Sequence, residues 1–316
     1  MVRVPSLRKD PMAEPYDVVI IGAGPAGLAA ALYTGRARLN TIVLEKAIPG
    51  GQILLTDWIE NYPGFPDGIA PFDLIEKFRG QALKFGAAFV TDEAKDIRRE
   101  GEFWLIQGVK ALYPTRAVIV ATGAAYRRLG LPNEGRLIGR GVSYCATCDG
   151  AFFRDRDIAV VGGGDTALME AIFLTKFAKK VALIHRRDRF RGTKIIQERV
   201  QANPKIEVYW DSVIEAIDGG DNVEAIVLRN VKTDTRTTLP VEGLFVSIGM
   251  DPNTEFVKGL LELNEWGEIV VQANMATSQP GIYAAGDVID ACPHQVASAV
   301  GSGVHAAISV DEYLSK

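Results

Sequence analysis

Of the three cysteines in this 316-residue chain, two stand in Cys145-Ala146-Thr147-Cys148, with Asp149 next in sequence. Two thiols at this spacing suit reversible exchange between dithiol and disulfide, and an adjacent carboxylate can move the proton that such exchange requires. The same spacing supplies half of a zinc site. There is no second Cys pair, however, and Cys292, His185, His294 and His305 are scattered, so no metal is expected. Asp149 by itself could equally be a helix N-cap. Two glycine-rich turns flank the dithiol, Gly22-Ala23-Gly24-Pro25-Ala26-Gly27 and Gly162-Gly163-Gly164-Asp165-Thr166-Ala167. Turns of this kind bring backbone N–H groups and a helix N-terminus up to a pyrophosphate. Two dinucleotide sites and a dithiol in one chain imply two cofactors that exchange electrons, in the order nicotinamide, flavin, cysteines.

Each turn must sit between a buried strand and a helix. Residues 16–22, with the run Val18-Val19-Ile20-Ile21, read as a buried parallel strand, residues 26–35 as the helix and residues 40–45 as the next strand. That second strand ends in Glu45, eighteen residues after Gly27, near the spacing at which a carboxylate reaches a ribose hydroxyl. The unit recurs over residues 157–161, 162–167, 168–177 and 181–184, but there the second strand ends in His185-Arg186-Arg187, with Arg191 beyond. Guanidinium groups in place of the carboxylate suit a 2′-phosphate, so the second site is expected to take NADPH rather than NADH. A basic run could instead be a solvated face or a nucleic-acid patch; its place at the end of a dinucleotide-unit strand favours the phosphate.

Residues 118–123 and 244–249 each read as a strand ending in a small-residue turn, and residues 281–287 as another, ending in Gly286-Asp287 ahead of a helix over 294–314. The expected architecture is α/β with two Rossmann-like domains. A discontinuous FAD domain, residues 13–125 and 253–316, would be interrupted by an NADPH domain, residues 126–252, that carries the dithiol, with a loose extension over residues 1–12. A net charge of −4 argues against nucleic acid or an anionic membrane as partner, and the 47% apolar content contains no run of membrane-spanning length. Residues 1–15 lack the apolar core of a signal peptide, and the few cysteines suit a reducing compartment, so a cytoplasmic location is expected. Trp58, Trp104, Trp210 and Trp266 are spread singly and read as packing residues, as does His305, while Cys292 reads as a bystander.

Taken in order, the motifs resemble the low-molecular-weight, bacterial-type thioredoxin reductases nearly end to end. They are the two glycine turns, Gly50-Gly51-Gln52, Glu60-Asn61-Tyr62-Pro63-Gly64, Ala121-Thr122-Gly123, the element from Cys145 to Asp149, His185-Arg186-Arg187-Asp188 with Arg191, and Ala284-Ala285-Gly286-Asp287. The resemblance implies a homodimeric FAD enzyme in which NADPH reduces the flavin, the flavin reduces a Cys145–Cys148 disulfide, and the dithiol reduces thioredoxin. It implies that Cys148 faces the flavin, that Cys145 attacks the partner's disulfide, and that Asp149 is the acid/base. It further implies a rotation of the NADPH domain about hinges near residues 124–128 and 250–254. It sets FAD against Gly22, Gly24, Pro25, Ala26, Gly27, Glu45, Lys46, Gly51, Gln52, Asn61, Thr122, Gly123, Gly286, Asp287, His294, Gln295 and Val296. NADPH would lie against Gly162, Gly164, Asp165, Thr166, His185, Arg186, Arg187 and Arg191.

Two positions depart from the family pattern. His294 stands where an Arg usually precedes Gln295, and an imidazole there could titrate near neutral pH and tune the flavin. Gly192 stands where Ala is common, and is expected to loosen its loop and no more. The alternatives are a related flavin disulfide reductase with another electron donor or another thioredoxin-fold partner, and a non-catalytic redox sensor that binds both nucleotides.

Overall fold

The computed structural model describes residues 15–55 and 58–316, so the expected extension over residues 1–12 lies outside the described residues. The chain opens with β1 (Tyr16–Ile21), α1 (Pro25–Arg36) and β2 (Thr41–Glu45), followed by α2 (Pro71–Lys84) and the strands β3 (Ala88–Thr91), β4 (Ala94–Glu100), β5 (Phe103–Gly108) and β6 (Leu112–Val120). After β7 (Ala124–Tyr126) come α3 (Glu134–Leu137), β8 (Val142–Ser143), α4 (Ala146–Asp149), β9 (Asp157–Gly162), α5 (Asp165–Leu174), β10 (Lys180–Ile184), α6 (Lys194–Ala202) and β11 (Ile206–Tyr209). Then follow β12 (Ser212–Asp218), β13 (Ala225–Asn230), β14 (Arg236–Pro240) and β15 (Gly243–Ser247). The chain closes with β16 (Met250–Pro252), β17 (Ile282–Ala284) and α7 (Val296–Leu314). It divides into two compact units, one running to Leu54 and including Tyr62–Ala125 and Asp251–Lys316, the other formed by Leu55–Asn61 and Tyr126–Met250.

In the first unit the strand order is β3-β2-β1-β6-β5-β4, with β17 also on β6. β1 pairs in parallel with β2 and β6, which requires crossovers and therefore the helix between them. β6 changes partner along its length: Leu112–Thr115 runs antiparallel to β5, whereas Val118–Val120 lies parallel to Ile282–Ala284 of β17. The tail of the chain thus completes the sheet that its head began. Val19, Ile21, Ile42, Leu44, Val118, Val120 and Ile282 share one apolar cluster with Trp104, Tyr113 and Val257. The alternate residues Val18, Ile20, Val43 and Ile119 are also fully buried, pointing to the opposite face, where α1 and α7 lie.

In the second unit β11-β10-β9-β15-β8 form a parallel sheet, with β12-β13-β14 a separate antiparallel one. Period-two burial is explicit here. Ala159, Val161, Ala182, Ile184, Leu244 and Val246 pack on Ile214, Ile226 and Leu228 of the antiparallel sheet. The intervening Ile158, Val160, Val181, Leu183 and Phe245 pack on Ala167, Leu168, Ala171 and Leu174 of α5. Both faces are covered, which explains why the strands read as unbroken apolar runs.

Among the boundaries that differ from the sequence reading are those of α5 and α7. α5 begins at Asp165 rather than residue 168, because extended Gly164 is its N-cap, and stops at Leu174, where the Thr175 hydroxyl donates to Ile172 O at 2.6 Å. α7 starts at Val296 because His294 has φ +51° and Gln295 caps the helix. Trp266 and His305 are exposed, so they do not pack in the core; Trp104 does, and its Nε1 donates to Pro280 O at 3.2 Å.

At Gly303, α7 comes up to the backbone of α1. A Cβ on Gly303 would lie 2.2 Å from Ala26 O, while one on Gly301 would meet nothing within 4 Å. Gly303→Ala is therefore expected to lower the thermal midpoint, at a cost of about 1–3 kcal/mol from forced separation of the helices. Gly301→Ala should leave the midpoint unchanged or raise it by the gain of roughly 1 kcal/mol in helix propensity. Near-UV circular dichroism melting of the two variants checks the contrast.

Candidate functional site: two dinucleotide turns and a disulfide

In the first turn the glycines have different duties. A Cβ on Gly22, at φ +104°, would fall 2.3 Å from Ala121 O, and one on Gly27 would fall 1.9 Å from Gly22 O, so these two let helix and strands close on one another. Gly24 has no such packing reason, since the nearest atom to its Cβ would be Gly50 O at 3.9 Å. Its missing side chain keeps open the space in front of the first turn of α1. Gly24 is also the N-cap of α1 and no side chain caps that helix, leaving its first N–H groups to an anion. At the end of β2, Glu45 Oε2 accepts from Ala23 N at 2.8 Å and Oε1 from Ala47 N at 3.1 Å, which orients the carboxylate beside the turn. Gly51, which opens a short 3-10 helix with Gln52, lies against Gly24, and Gly50 N donates to Ala23 O at 2.9 Å. Lys46 is exposed, and Asn61 falls in the stretch that divides with the second unit.

Of the other expected first-unit residues, Thr122 and Gly286 lie against this turn. The Thr122 hydroxyl donates to Asn253 O at 2.9 Å, and Asn253 returns bonds from Nδ2 to Thr122 O at 2.8 Å and from its N–H to Gly123 O at 3.0 Å. Asn253 carried no motif that would single it out in the sequence. Gly286 adjoins Ala26, where its Cβ would lie 2.8 Å from that of Ala26, and its N–H donates to the Ser302 hydroxyl at 2.9 Å. The next residue, Asp287, accepts from the Cys292 thiol at 3.4 Å, and its carboxylate lies 3.7 Å from His294 Nδ1. That separation is longer than a formed hydrogen bond, and among the described residues Nδ1 has no other partner. Asp287, as an acceptor within reach and then as a charge, raises His294 above the ordinary imidazole range against the opposing effect of burial. Gln295 and Ser298 form a reciprocal capping box ahead of Val296, the first residue of α7.

In the second turn Gly162 and Gly163 permit close approach, to Ser247 O at 2.3 Å and to the His185 ring at 2.1 Å for a notional Cβ. Gly164 again faces open space and is the N-cap of α5 with no side-chain cap. The side chain of Asp165 is engaged at the loop, its Oδ1 accepting from Thr193 N at 2.7 Å and from the Thr193 hydroxyl at 3.0 Å. Thr166 is exposed on the first turn of α5. Arg191 N and Gly192 N both donate to Gly163 O, at 2.8 and 3.3 Å, so the basic loop is stitched to the turn. Gly192 does more than loosen this loop: a Cβ there would lie 2.7 Å from the Leu168 side chain and 3.1 Å from Asp165 Oδ1. Arg186, Arg187 and Arg191 are exposed, and no ion pair among the described residues engages them. His185 is buried instead.

Cys145 and Cys148 are joined as a disulfide, both half-buried. Cys145 is the N-cap of α4, and its Sγ accepts from Cys148 N at 3.2 Å, a bond that would favour negative charge on this sulfur after reduction. Asp149 does not cap α4; it ends that helix, and its Oδ2 accepts from the Ser143 hydroxyl at 2.6 Å, while Cys145 N donates to Ser143 Oγ at 3.1 Å. The element rests on a buried carboxylate, Glu134, and a half-buried one, Glu170, that sequence reading missed. Glu134 accepts from the N–H groups of Leu129 and Gly130, each at 2.8 Å, and from the Tyr144 hydroxyl at 2.6 Å; burial, and then this bond, pushes that phenol well above its usual range. Glu170 is bonded by the Ser247 hydroxyl and by Ala146 N, and burial raises its carboxyl. Neither acid has a signature, because their partners are backbone N–H groups that any sequence supplies and single hydroxyls set apart from them in the chain.

The donor sets of both turns therefore fit dinucleotides: open space at the middle glycine, an uncapped helix start, a carboxylate at one strand end and unpaired guanidinium groups at the other. Comparison with known proteins agrees. The profile described as pyridine nucleotide-disulphide oxidoreductase matches residues 16–303. This chain belongs to that family. It is similar to the thioredoxin reductase of Streptomyces coelicolor, 47% identical over 307 residues that cover 96% of this chain and 95% of the relative. The thioredoxin reductase of Mycolicibacterium smegmatis is 46% identical, with 95% and 97% covered. The crystal structure of thioredoxin reductase from Streptococcus pyogenes superposes with a TM-score of 0.90 at 46% identity, covering 95% of this chain and 98% of that one. The fold is the two-domain flavoprotein fold of these enzymes, and the cofactors of this family member are FAD and NADPH. Among the described residues no helix is long and apolar enough to cross a membrane.

Cys292, 9% exposed, is the one cysteine outside the disulfide. Burial, then the Asp287 charge, pushes its thiol up to about 11. At pH 8 only ~0.1% would be thiolate, so alkylation of the reduced native protein with iodoacetamide should modify Cys145 and Cys148 and spare Cys292. Mass spectrometry of the peptides checks this, and rapid labelling of Cys292 would contradict it.

Proposed function

We propose that the residues of these two turns and the disulfide divide the work of an NADPH-dependent thioredoxin-disulfide reductase. The single observation that carries the reading is the Cys145–Cys148 disulfide built into a unit that also holds a dinucleotide turn and three exposed arginines. The relatives named thioredoxin reductase, at 45–47% identity, support thioredoxin as substrate. The first unit is the FAD-binding domain, and the inserted unit binds NADPH, with the 2′-phosphate on Arg186, Arg187 and Arg191. Bound FAD supplies the two-electron relay between the nicotinamide and the disulfide.

The chain's own residues then carry the exchange. Once reduced, Cys145 holds its thiolate against the N–H of Cys148 and attacks one sulfur of oxidised thioredoxin, forming a mixed disulfide and releasing the other sulfur of thioredoxin as thiol. Cys148 attacks Cys145 Sγ, restoring the intramolecular disulfide and releasing the second thioredoxin thiol. Asp149, held by the Ser143 hydroxyl, would move the proton that the cysteine pair takes up when its disulfide is reduced. The family resemblance supports a homodimer, which size-exclusion chromatography with light scattering tests, and the few cysteines support a reducing cytoplasm.

Two variants check the roles. Cys145→Ser should leave FAD reducible by NADPH while lowering thioredoxin turnover by about 10³-fold or more; normal turnover would contradict the assigned thiol chemistry. Replacing Arg186 and Arg187 together by Leu should raise KM for NADPH roughly 10–100-fold, the loss expected for charge-assisted bonds, with little change for NADH. Equal losses for the two nucleotides would move the 2′-phosphate elsewhere.

A further inference from the structure

His185 closes β10 and is enclosed by the Phe190 and Trp210 rings, with centroids 5.4 and 6.1 Å away, and by the β11 backbone, where Tyr209 O accepts its N–H at 3.0 Å. Both ring nitrogens face backbone carbonyl oxygens: Nδ1 lies 2.9 Å from Gly162 O and Nε2 lies 2.9 Å from Arg189 O. One carbonyl belongs to the dinucleotide turn and the other to the loop that carries Arg186, Arg187 and Arg191. A neutral imidazole has one N–H and can satisfy only one of them; an imidazolium satisfies both. The buried ring opposes that charge, as do Arg191 and Arg187, and burial is the larger effect in holding the imidazole below its ordinary range. Among the described residues no carboxylate is part of this balance. At neutral pH the clasp is therefore one proton short.

We propose that His185 is a positioning residue that clasps the arginine loop to the dinucleotide turn, and that the clasp closes by taking up a proton when a 2′-phosphate binds. The proposal rests on the reading that Arg186, Arg187 and Arg191 receive that phosphate. Its negative charge offsets the arginine field that keeps the ring neutral, the proton comes from solvent, and the second N–H···O bond then fixes the loop. Linkage sets the sign: a group whose pKa rises on binding favours binding at low pH, and the gain fades as pH rises through the raised value.

The test is calorimetric binding of 2′,5′-ADP to the FAD-loaded protein in buffers of differing ionisation enthalpy, with 5′-AMP as the ligand lacking the 2′-phosphate. Wild type is compared with His185→Gln and His185→Phe. Titration of the ligand's own phosphate is common to all three proteins and cancels in the comparison. Wild type should take up more protons than His185→Gln on binding 2′,5′-ADP but not 5′-AMP, and its affinity should fall up to about tenfold more between pH 6 and pH 8, the equivalent of one pKa unit. Equal proton uptake and parallel pH profiles in wild type and His185→Gln would overturn the proposal. Should His185→Phe fail to fold, the Gln comparison decides alone. Binding of 2′,5′-ADP indifferent to the Arg186/Arg187 double substitution would instead overturn the phosphate reading beneath it, so the silent variant tells the two failures apart.

Discussion

The structure depends on backbone approaching backbone at two strand-turn-helix crossings. A pyrophosphate can reach N–H groups at a helix start only if the preceding strand, the turn and the helix close to distances that no Cβ permits. Gly22 and Gly27 meet that demand in the first unit, and Gly162 with small Ala167 meets it in the second. The parallel sheets follow from it, since each turn needs a buried central strand with neighbours on both sides: β1 between β2 and β6, and β9 between β10 and β15. The two middle glycines, which nothing among the described residues crowds, are what separate a nucleotide-binding turn from an ordinary strand-to-helix connection.

Around that scaffold the polar groups are committed to fixing short segments. Glu45 holds the first turn, Asn253 holds Thr122 and Gly123, Asp165 holds Thr193, and Glu134, Ser143 and Glu170 hold the residues on either side of the disulfide. A four-residue helix such as α4 has little stability of its own, so the Cys145–Asp149 element takes its geometry from these contacts. By contrast Arg186, Arg187 and Arg191 reach solvent, as suits groups that meet a ligand rather than the protein. The dithiol is thus presented on rigid neighbours and the three arginines on an exposed loop.

Much of this was legible in the sequence. The apolar runs over residues 17–21, 157–161 and 181–184 located the central strands, because strands buried on both faces leave no polar alternation. Glycine spacing located the turns, and the change from Glu45 to Arg186 and Arg187 after the second strand is the difference on which the proposed assignment of the two sites rests. What escaped was whatever works through the backbone or through distant neighbours: Asn253 beside Thr122, Glu134 and Glu170 beneath the dithiol, and the packing role of Gly192. His185 was read as a ligand from its place beside the arginines, yet it is buried with both nitrogens on carbonyls, a disposition no motif encodes.

The central claim is that electrons enter at the nicotinamide and leave through Cys145 and Cys148. The most direct measurement is anaerobic addition of NADPH to the FAD-loaded protein while following flavin absorbance, then addition of oxidised thioredoxin. Bleaching by NADPH that thioredoxin reverses is the result this account predicts. A flavin that NADPH does not bleach, or one whose bleaching thioredoxin leaves untouched, would contradict it.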